Sequence, residues 1–581
     1  MSVPLRSARW FGPPTVAGLI HRSSVKAEGY VRAATDGRPV IGICNAWSEL
    51  VHCNAHLGGL AHAVKRGVLA AGGLPLEFPT ISLSENLMKP SAMLFRNLMS
   101  MDVEETIRAH PIDAVVLLAG CDKTVPAQLM GATSAGVPAI MLTGGPADAA
   151  RFEGRELAGG TDLWHYTNEH RAGRMSAGAY AELEAALTPS PGHCNELGTA
   201  STLAAVAEAL GMALPGTAAI PAVDGRRAAA AEDTGRRAVE LAGSNVTPQA
   251  ILSPAAFHNA ITVLVAIGGS TNAVVHLLAL AGRAGVSLDL DDFDAIARRT
   301  PVITSLRPSG SHLFAELDRV GGLPVVLREL RTLLHEEALT VTGEPLGALL
   351  DGSPEPDGDI VMPMEAPARA EGGLAVLRGN LAPDGAIIKT SAASPALLRH
   401  SGPAVVFDGV EDLAARIDDP TLEITADSVL VLKGAGPRGA PGFPEWGMLP
   451  IPARLLEAGV EDMVRISDAR MSGTAFGTIV LHVAPEAAAL GPLAAVETGD
   501  LLELDVESRR LEVDVPAAEL QARLRRLTPP EPAYRRGYGA LYLDHVLQAP
   551  DGCDFDFLRA LPGEPPVTEP EGLLSGWVGG W

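Results

Sequence analysis

Two short apolar runs closed on each side by turn residues constrain this chain most. Residues 113–120 (DAVVLLAG) and 137–145 (VPAIMLTGG) have the length and composition of strands buried on both faces. Such strands belong to parallel sheets covered by helices. Residues 55–71 and 199–212 carry helical periodicity, so the first part of the chain is expected to be an α/β domain with a parallel sheet. At 581 residues the chain exceeds what one compact core organises. The Pro-, Gly- and acid-rich stretch 351–373 (DGSPEPDGDIVMPMEAPARAEGG) marks the boundary, giving an N-terminal domain over 1–372 and a second over 373–581. In the second, residues 385–390, 404–408, 428–433, 463–467 and 477–483 read as short strands with few helices between them. Residues 501–515 (LLELDVESRRLEVDV) read as a hairpin, so this domain is expected to be β-rich and barrel-like or a curved sheet. The Pro/Gly-rich end, 563–581, is either a docking tail or disordered, and no internal repeat is visible.

A formal charge of −24 argues against nucleic acid as a partner, because phosphate neutralisation needs clustered Lys and Arg. It also implies indifference to anionic membranes. No run of eighteen apolar residues and no signal-type stretch at the start is present, so a cytoplasmic location is expected. Five cysteines, an odd number in so long a chain, do not form a disulfide framework. In a reducing compartment they are structural thiols, ligands or reactive groups.

Their settings separate them. Cys44 ends the apolar run PVIGIC and needs no explanation beyond burial. Cys553, in GCDFDF, is open to either reading. Cys53 (VHCNAH), Cys121 (AGCDKT) and Cys194 (GHCNELGTAST) stand in polar settings at expected element ends, where backbone N–H groups favour a thiolate. No C-x-x-C pair exists, so spacing alone says little about metal. Three thiolates would leave a cluster iron with an open coordination position, whereas an electron-transfer cluster normally has four protein ligands.

Glu85 (SLSENL), Asp122 and Lys123 beside Cys121, and Glu445 (GAPGFPEWG) lie in Gly-, Pro- or Ser-rich loops. Carboxylates suit a hard cation such as Mg²⁺, and the pair Cys121–Asp122 would set a soft site beside a hard one. An isolated loop carboxylate is ordinarily just solvated. In RISDARMSGTAFGT a strand runs into a Gly/Ser/Thr loop holding Ser472 and Thr474, either a plain turn or a loop that meets substrate. Ser270, Thr271 and Asn272 (GGSTN) precede a helical run and either cap it or bind a substrate carboxylate.

Seven blocks, in order, resemble the family of dihydroxy-acid and 6-phosphogluconate dehydratases: GICNAWSELVHCNAH, VVLLAGCDKTVPAQLMG, PGHCNELGTAST, AIGGSTNAVVHL, GNLAPDGAIIKTSA, PRGAPGFPEWGMLP and RISDARMSGTAFGT. PGHCNELGTAST, GFPEWGMLPIP and YGALYLDHVLQAPDGCDFDFL resemble its sugar-acid branch, the L-arabinonate and D-xylonate dehydratases. The resemblance implies a hydro-lyase that turns a 2,3-dihydroxy acid into a 2-keto-3-deoxy acid. It implies a [2Fe–2S] cluster on Cys53, Cys121 and Cys194, and Mg²⁺ on Glu85, Asp122, Glu445 and a carbamylated Lys123. Ser472 matches the proposed base and Thr474 an assisting hydroxyl. A small-molecule hydroxy-acid substrate and a homo-dimer or homo-tetramer follow from the same resemblance. The chain departs from the family at Ser84, Asn86, Asn195 and Glu196, beside the site residues, which bears on the substrate more than on the reaction. A dihydroxy-acid dehydratase of branched-chain amino-acid synthesis is the near alternative, and an iron–sulfur redox sensor or electron carrier the remote one.

Overall fold

The computed structural model describes residues 4–560, so the tail at 563–581 lies outside the described residues. Strands β1 (Val40–Asn45), β2 (Leu74–Pro79), β3 (Ala114–Ala119) and β4 (Ala139–Thr143) form a parallel sheet in the order β2-β1-β3-β4. Every residue of β1, β3 and β4 is buried, which is why their sequences show no polar alternation. Helices Leu57–Ala70 and Gly225–Leu241 pack on each other, as do Arg96–Ala109 and Thr124–Ala135. The chain steps from β1 out to β2 and then back past β1 to β3, so right-handed crossovers place Leu57–Ala70 and Arg96–Ala109 on opposite faces. That reversal opens a crevice beyond the carboxyl ends of β1 and β3, where sheets of this kind bind ligands.

A short hairpin, β5 (Ala150–Phe152) with β6 (Arg155–Leu157), and helices Gly159–Arg171 and Ala177–Ala186 then leave the sheet. The sequence does not announce this excursion, because Gly159–Arg171 buries no residue completely and so carries no apolar stripe.

The second domain is built on β7 (Ala375–Leu377), β8 (Gly385–Ile388), β9 (Arg399–Asp408), β10 (Val429–Lys433), β11 (Arg465–Ser467), β12 (Ile479–Ala484), β13 (Leu501–Asp505) and β14 (Arg510–Val513). Their order is β14-β13-β9-β10-β11-β12-β8-β7, and a bridge from Arg378 to Arg510 joins its two ends. The sheet therefore nearly closes into a barrel around Leu377, Ile388, Val431, Ile466 and Leu511. Strands β9 to β12 run parallel, with helices Val410–Arg416 and Ala453–Glu457 in their connections. At one to two turns these helices are too short to register as periodicity.

The C-terminal segment returns to the first domain. Arg283 and Asp554 form a fully buried ion pair at 2.6 Å, and Arg96 donates to the carbonyls of Gly552 and Cys553. Cys553 is buried in this clamp, so its place is explained by packing. Among the described residues no helix is long and apolar enough to cross a membrane.

Candidate active site

The crevice at the ends of β1 and β3 is where Cys53 and Cys121 meet. Past β1 the chain turns through His52–Asn54, and Cys121 lies just past β3. The Asn54 side chain accepts the Gly120 N–H at 2.9 Å and locks the two loops together. Only glycine fits at 120, since a Cβ there would stand 2.4 Å from the Cys53 carbonyl oxygen. Cys53 and Cys121, each 5% exposed, pack together with Val51. A hydrogen bond from the Cys121 thiol, helped by His52 Nε2 at 3.5 Å, draws Cys53 down to about 6 against the effect of burial. The same contact, together with burial, pushes Cys121 up.

Cys194 is exposed and opens into a cavity of about 440 Å³. It lies in the loop before helix Thr199–Ala209 rather than at the helix start that its sequence suggests. Cys44 is sealed inside β1, where burial pushes its thiol well up.

Beside the thiols, one oxygen from each of Glu85, Asp122 and Glu445 lies within 4.8 Å of the other two. Lys123, wholly buried, sits among them: Nζ is 3.2 Å from Glu85 Oε1 and 3.4 Å from Glu445 Oε1, and it also pairs with Asp122. Arg470 closes the group, Nη1 donating to Glu445 Oε1 at 2.9 Å and Nη2 to Glu85 Oε1 at 3.0 Å. Burial would raise Glu85, but Lys123 and Arg470 hold it down at about 2. Glu445 is pushed up by its burial in spite of the same two cations. Burial and Arg470 oppose the charge on Lys123, and the three carboxylates overcome both and hold its ammonium above the ordinary value. The oxygen set fits a hard divalent cation and the thiols a soft metal, side by side at Cys121–Asp122.

Ser472 and Thr474 line the same cavity as Cys194, Glu85 and Glu445, with their hydroxyl oxygens 2.9 Å apart. Ser270, Thr271 and Asn272 lie behind it, all buried and none on its wall. Ser270 Oγ bonds Thr199 Oγ1 at 2.8 Å, and Thr271 Oγ1 has no partner among the described residues. Asn272 Nδ2 donates to Glu445 Oε1 at 2.7 Å and to the Met471 carbonyl at 3.1 Å.

Three residues of this neighbourhood escape the sequence reading. Arg470 and Lys389 stand inside the family-like blocks, but a cation in a loop ordinarily reads as solvated. Lys389 is instead 1% exposed, its Nζ 3.4 Å from the Gly473 carbonyl, and burial lowers its pKa to about 7. Trp164, whose Nε1 donates to Thr474 Oγ1 at 3.3 Å, carried no signal at all.

Residues 38–349 match the sequence profile of the dihydroxy-acid/6-phosphogluconate dehydratase N-terminal region, and residues 359–553 that of the C-terminal region. The chain belongs to this family. It is 53% identical over 568 residues to an L-arabonate dehydratase of Azospirillum brasilense, covering 96% of this chain and 97% of that protein. Over 569 residues it is 48% identical to a 6-deoxy-6-sulfo-D-gluconate dehydratase of Pseudomonas putida, with 97% and 98% covered. A dihydroxy-acid dehydratase of Moorella thermoacetica stands further off, at 41% over 542 residues, 92% and 97% covered. In this family member both matched regions wall the cavity, Glu85 and Cys194 from the first and Glu445 and Ser472 from the second.

Proposed function

We propose that the protein is a hydro-lyase that removes water from a 2,3-dihydroxy sugar acid, such as L-arabinonate or D-xylonate, to give a 2-keto-3-deoxy acid. The observation that carries this reading is the meeting of Ser472, Cys194 and the carboxylates of Glu85 and Glu445 on one cavity wall. The relatives near half identity that act on sugar acids favour that substrate class over the branched-chain one.

On this reading Cys53, Cys121 and Cys194 hold a [2Fe–2S] cluster, and Glu85, Asp122, Glu445 and a carbamylated Lys123 hold Mg²⁺. Carbamylation would exchange the ammonium between three carboxylates for a fourth carboxylate, and the surplus negative charge would then call for a divalent cation. When bound, the two groups supply Lewis acids for the leaving hydroxyl and for the substrate carboxylate. Ser472, as alkoxide, takes the C2 proton. The C2–H electron pair becomes the C2=C3 bond, the C3 hydroxyl departs, and the enol tautomerises to the ketone. Arg470 and Asn272 keep Glu445 aimed at the cavity, so Ser270, Thr271 and Asn272 serve the site from behind its wall. A cytoplasmic homo-dimer or homo-tetramer completes the reading; the exposed Val16, Leu19 and Ile20 on helix Val16–Ala27 support the assembly, which light scattering reads.

The test is a turnover panel on anaerobically prepared protein. Keto-acid formation from pentonates or hexonates with none from 2,3-dihydroxy-3-methylbutanoate supports the proposal, and the reverse preference supports the branched-chain alternative. A cluster that cycles electrons without any turnover would favour the redox reading instead.

A further inference from the structure

We propose that Trp164 is a positioning residue that biases the hydrogen bond between Thr474 and Ser472 toward donation by Thr474, so that the Ser472 oxygen acts as the acceptor. The inference rests on the reading of Ser472 as the base. An indole N–H donates and never accepts, and here it donates to Thr474 Oγ1 at 3.3 Å. That bond takes one of the two lone pairs of Thr474 Oγ1 and leaves its proton free; either hydroxyl of the pair can donate, and Ser472 Oγ, 2.9 Å away, is the acceptor within reach of that proton among the described residues. The Thr474 backbone N–H points to the same oxygen at 3.4 Å. Ser472 Oγ thus faces two donors from one residue. Hydrogen bonds to a charged oxygen are stronger than to a neutral one, so this arrangement favours the alkoxide over the alcohol.

The helix that carries the indole is held by Asn195 and Glu196, two of the positions that the sequence reading marks as departures from the family pattern. Asn195 Oδ1 accepts the Gly159 N–H at 3.0 Å, and Glu196 Oε1 accepts those of Gly160 at 2.7 Å and Thr161 at 3.3 Å. Both carboxamide and carboxylate therefore grip the first turn of helix Gly159–Arg171, which carries Trp164. Thr161 Oγ1 reaches across to the Thr474 carbonyl at 2.9 Å. Gly160 makes this approach possible, because a Cβ there would lie 2.5 Å from Thr474 Oγ1. On its other side the Trp164 ring packs against the cluster of Met471, Ala475, Ile479 and Leu481. The helical excursion from the first domain is therefore pinned to the serine loop of the second.

The experiment is a double-mutant cycle on the cluster-loaded, Mg²⁺-supplied enzyme with L-arabinonate: Trp164→Phe, Thr474→Val and the two together. Phenylalanine keeps the ring and removes the donor. Trp164→Phe is expected to lower kcat by about three- to tenfold, the worth of one hydrogen bond between neutral groups, with KM nearly unchanged. The rising limb of the kcat–pH profile moves to higher pH, since the base loses its proton less readily. In the Thr474→Val background, Trp164→Phe adds no further loss, because the relay is already cut. An unchanged kcat and pH profile in Trp164→Phe overturns the proposal. An equal loss in both backgrounds also overturns it, since that marks a ring that merely packs. Full turnover in Ser472→Ala overturns both the base reading and this one, whereas an inactive Ser472→Ala beside an unaltered Trp164→Phe removes the relay alone.

Discussion

Arg470 donates from Nη2 to Glu85 Oε1 at 3.0 Å, although 385 residues of sequence separate the two. The same guanidinium binds Glu445, so one planar cation sets the spacing of two carboxylates that come from different domains. A lysine cannot make that fork. Arg470→Lys is expected to weaken Mg²⁺ binding by about tenfold or more, the usual effect of losing a group that orients a metal ligand. Calorimetric titration of chelator-treated protein reads this directly, and unchanged affinity would show that Arg470 only fills space.

The thiols make a second prediction. Cys121→Ser and Cys194→Ser should lose iron and visible absorption, because each removes one of the three sulfur ligands of the proposed cluster. Cys44→Ser, in a strand residue with no exposure, should keep both. A Cys121 variant with full iron content and colour would contradict the ligand assignment.

Lys389 predicts a gain in stability. Burial lowers its pKa from the ordinary 10.5 to about 7, so between those values the unfolded chain holds a proton that the folded one has released. Stability from this group therefore rises with pH across that window, and the penalty is full below pH 7. It is on the order of 5 kcal/mol. Lys389→Met is expected to melt at a higher temperature than the parent at pH 7, with the gap closing toward pH 10. A variant that melts at or below the parent at pH 7 would contradict this.

The legible parts of the molecule are those whose burial is written along the chain. Residues of β3 and β4 are apolar throughout because helices cover both faces, and that run is visible in sequence. The nearness of Cys53 and Cys121 is not, since it follows from β1 pairing with β3 while β2, between them in sequence, lies on the far side of β1. Spacing carries no trace of strand order, and only the family-like blocks pointed to the three cysteines together. Arg470 and Lys389 are not legible, because a lone cation in a loop reads as solvated until the fold seals it. Trp164 is not legible either, because its helix buries no residue completely and shows no apolar stripe.

The central claim is that Ser472 is the base at a two-metal site, and replacing it by alanine tests this most directly. Ser472→Ala should keep the cluster's visible absorption and Mg²⁺ binding while losing sugar-acid turnover, because the cysteines and carboxylates are untouched and the proton acceptor is gone. Near-normal turnover in that variant would contradict the account.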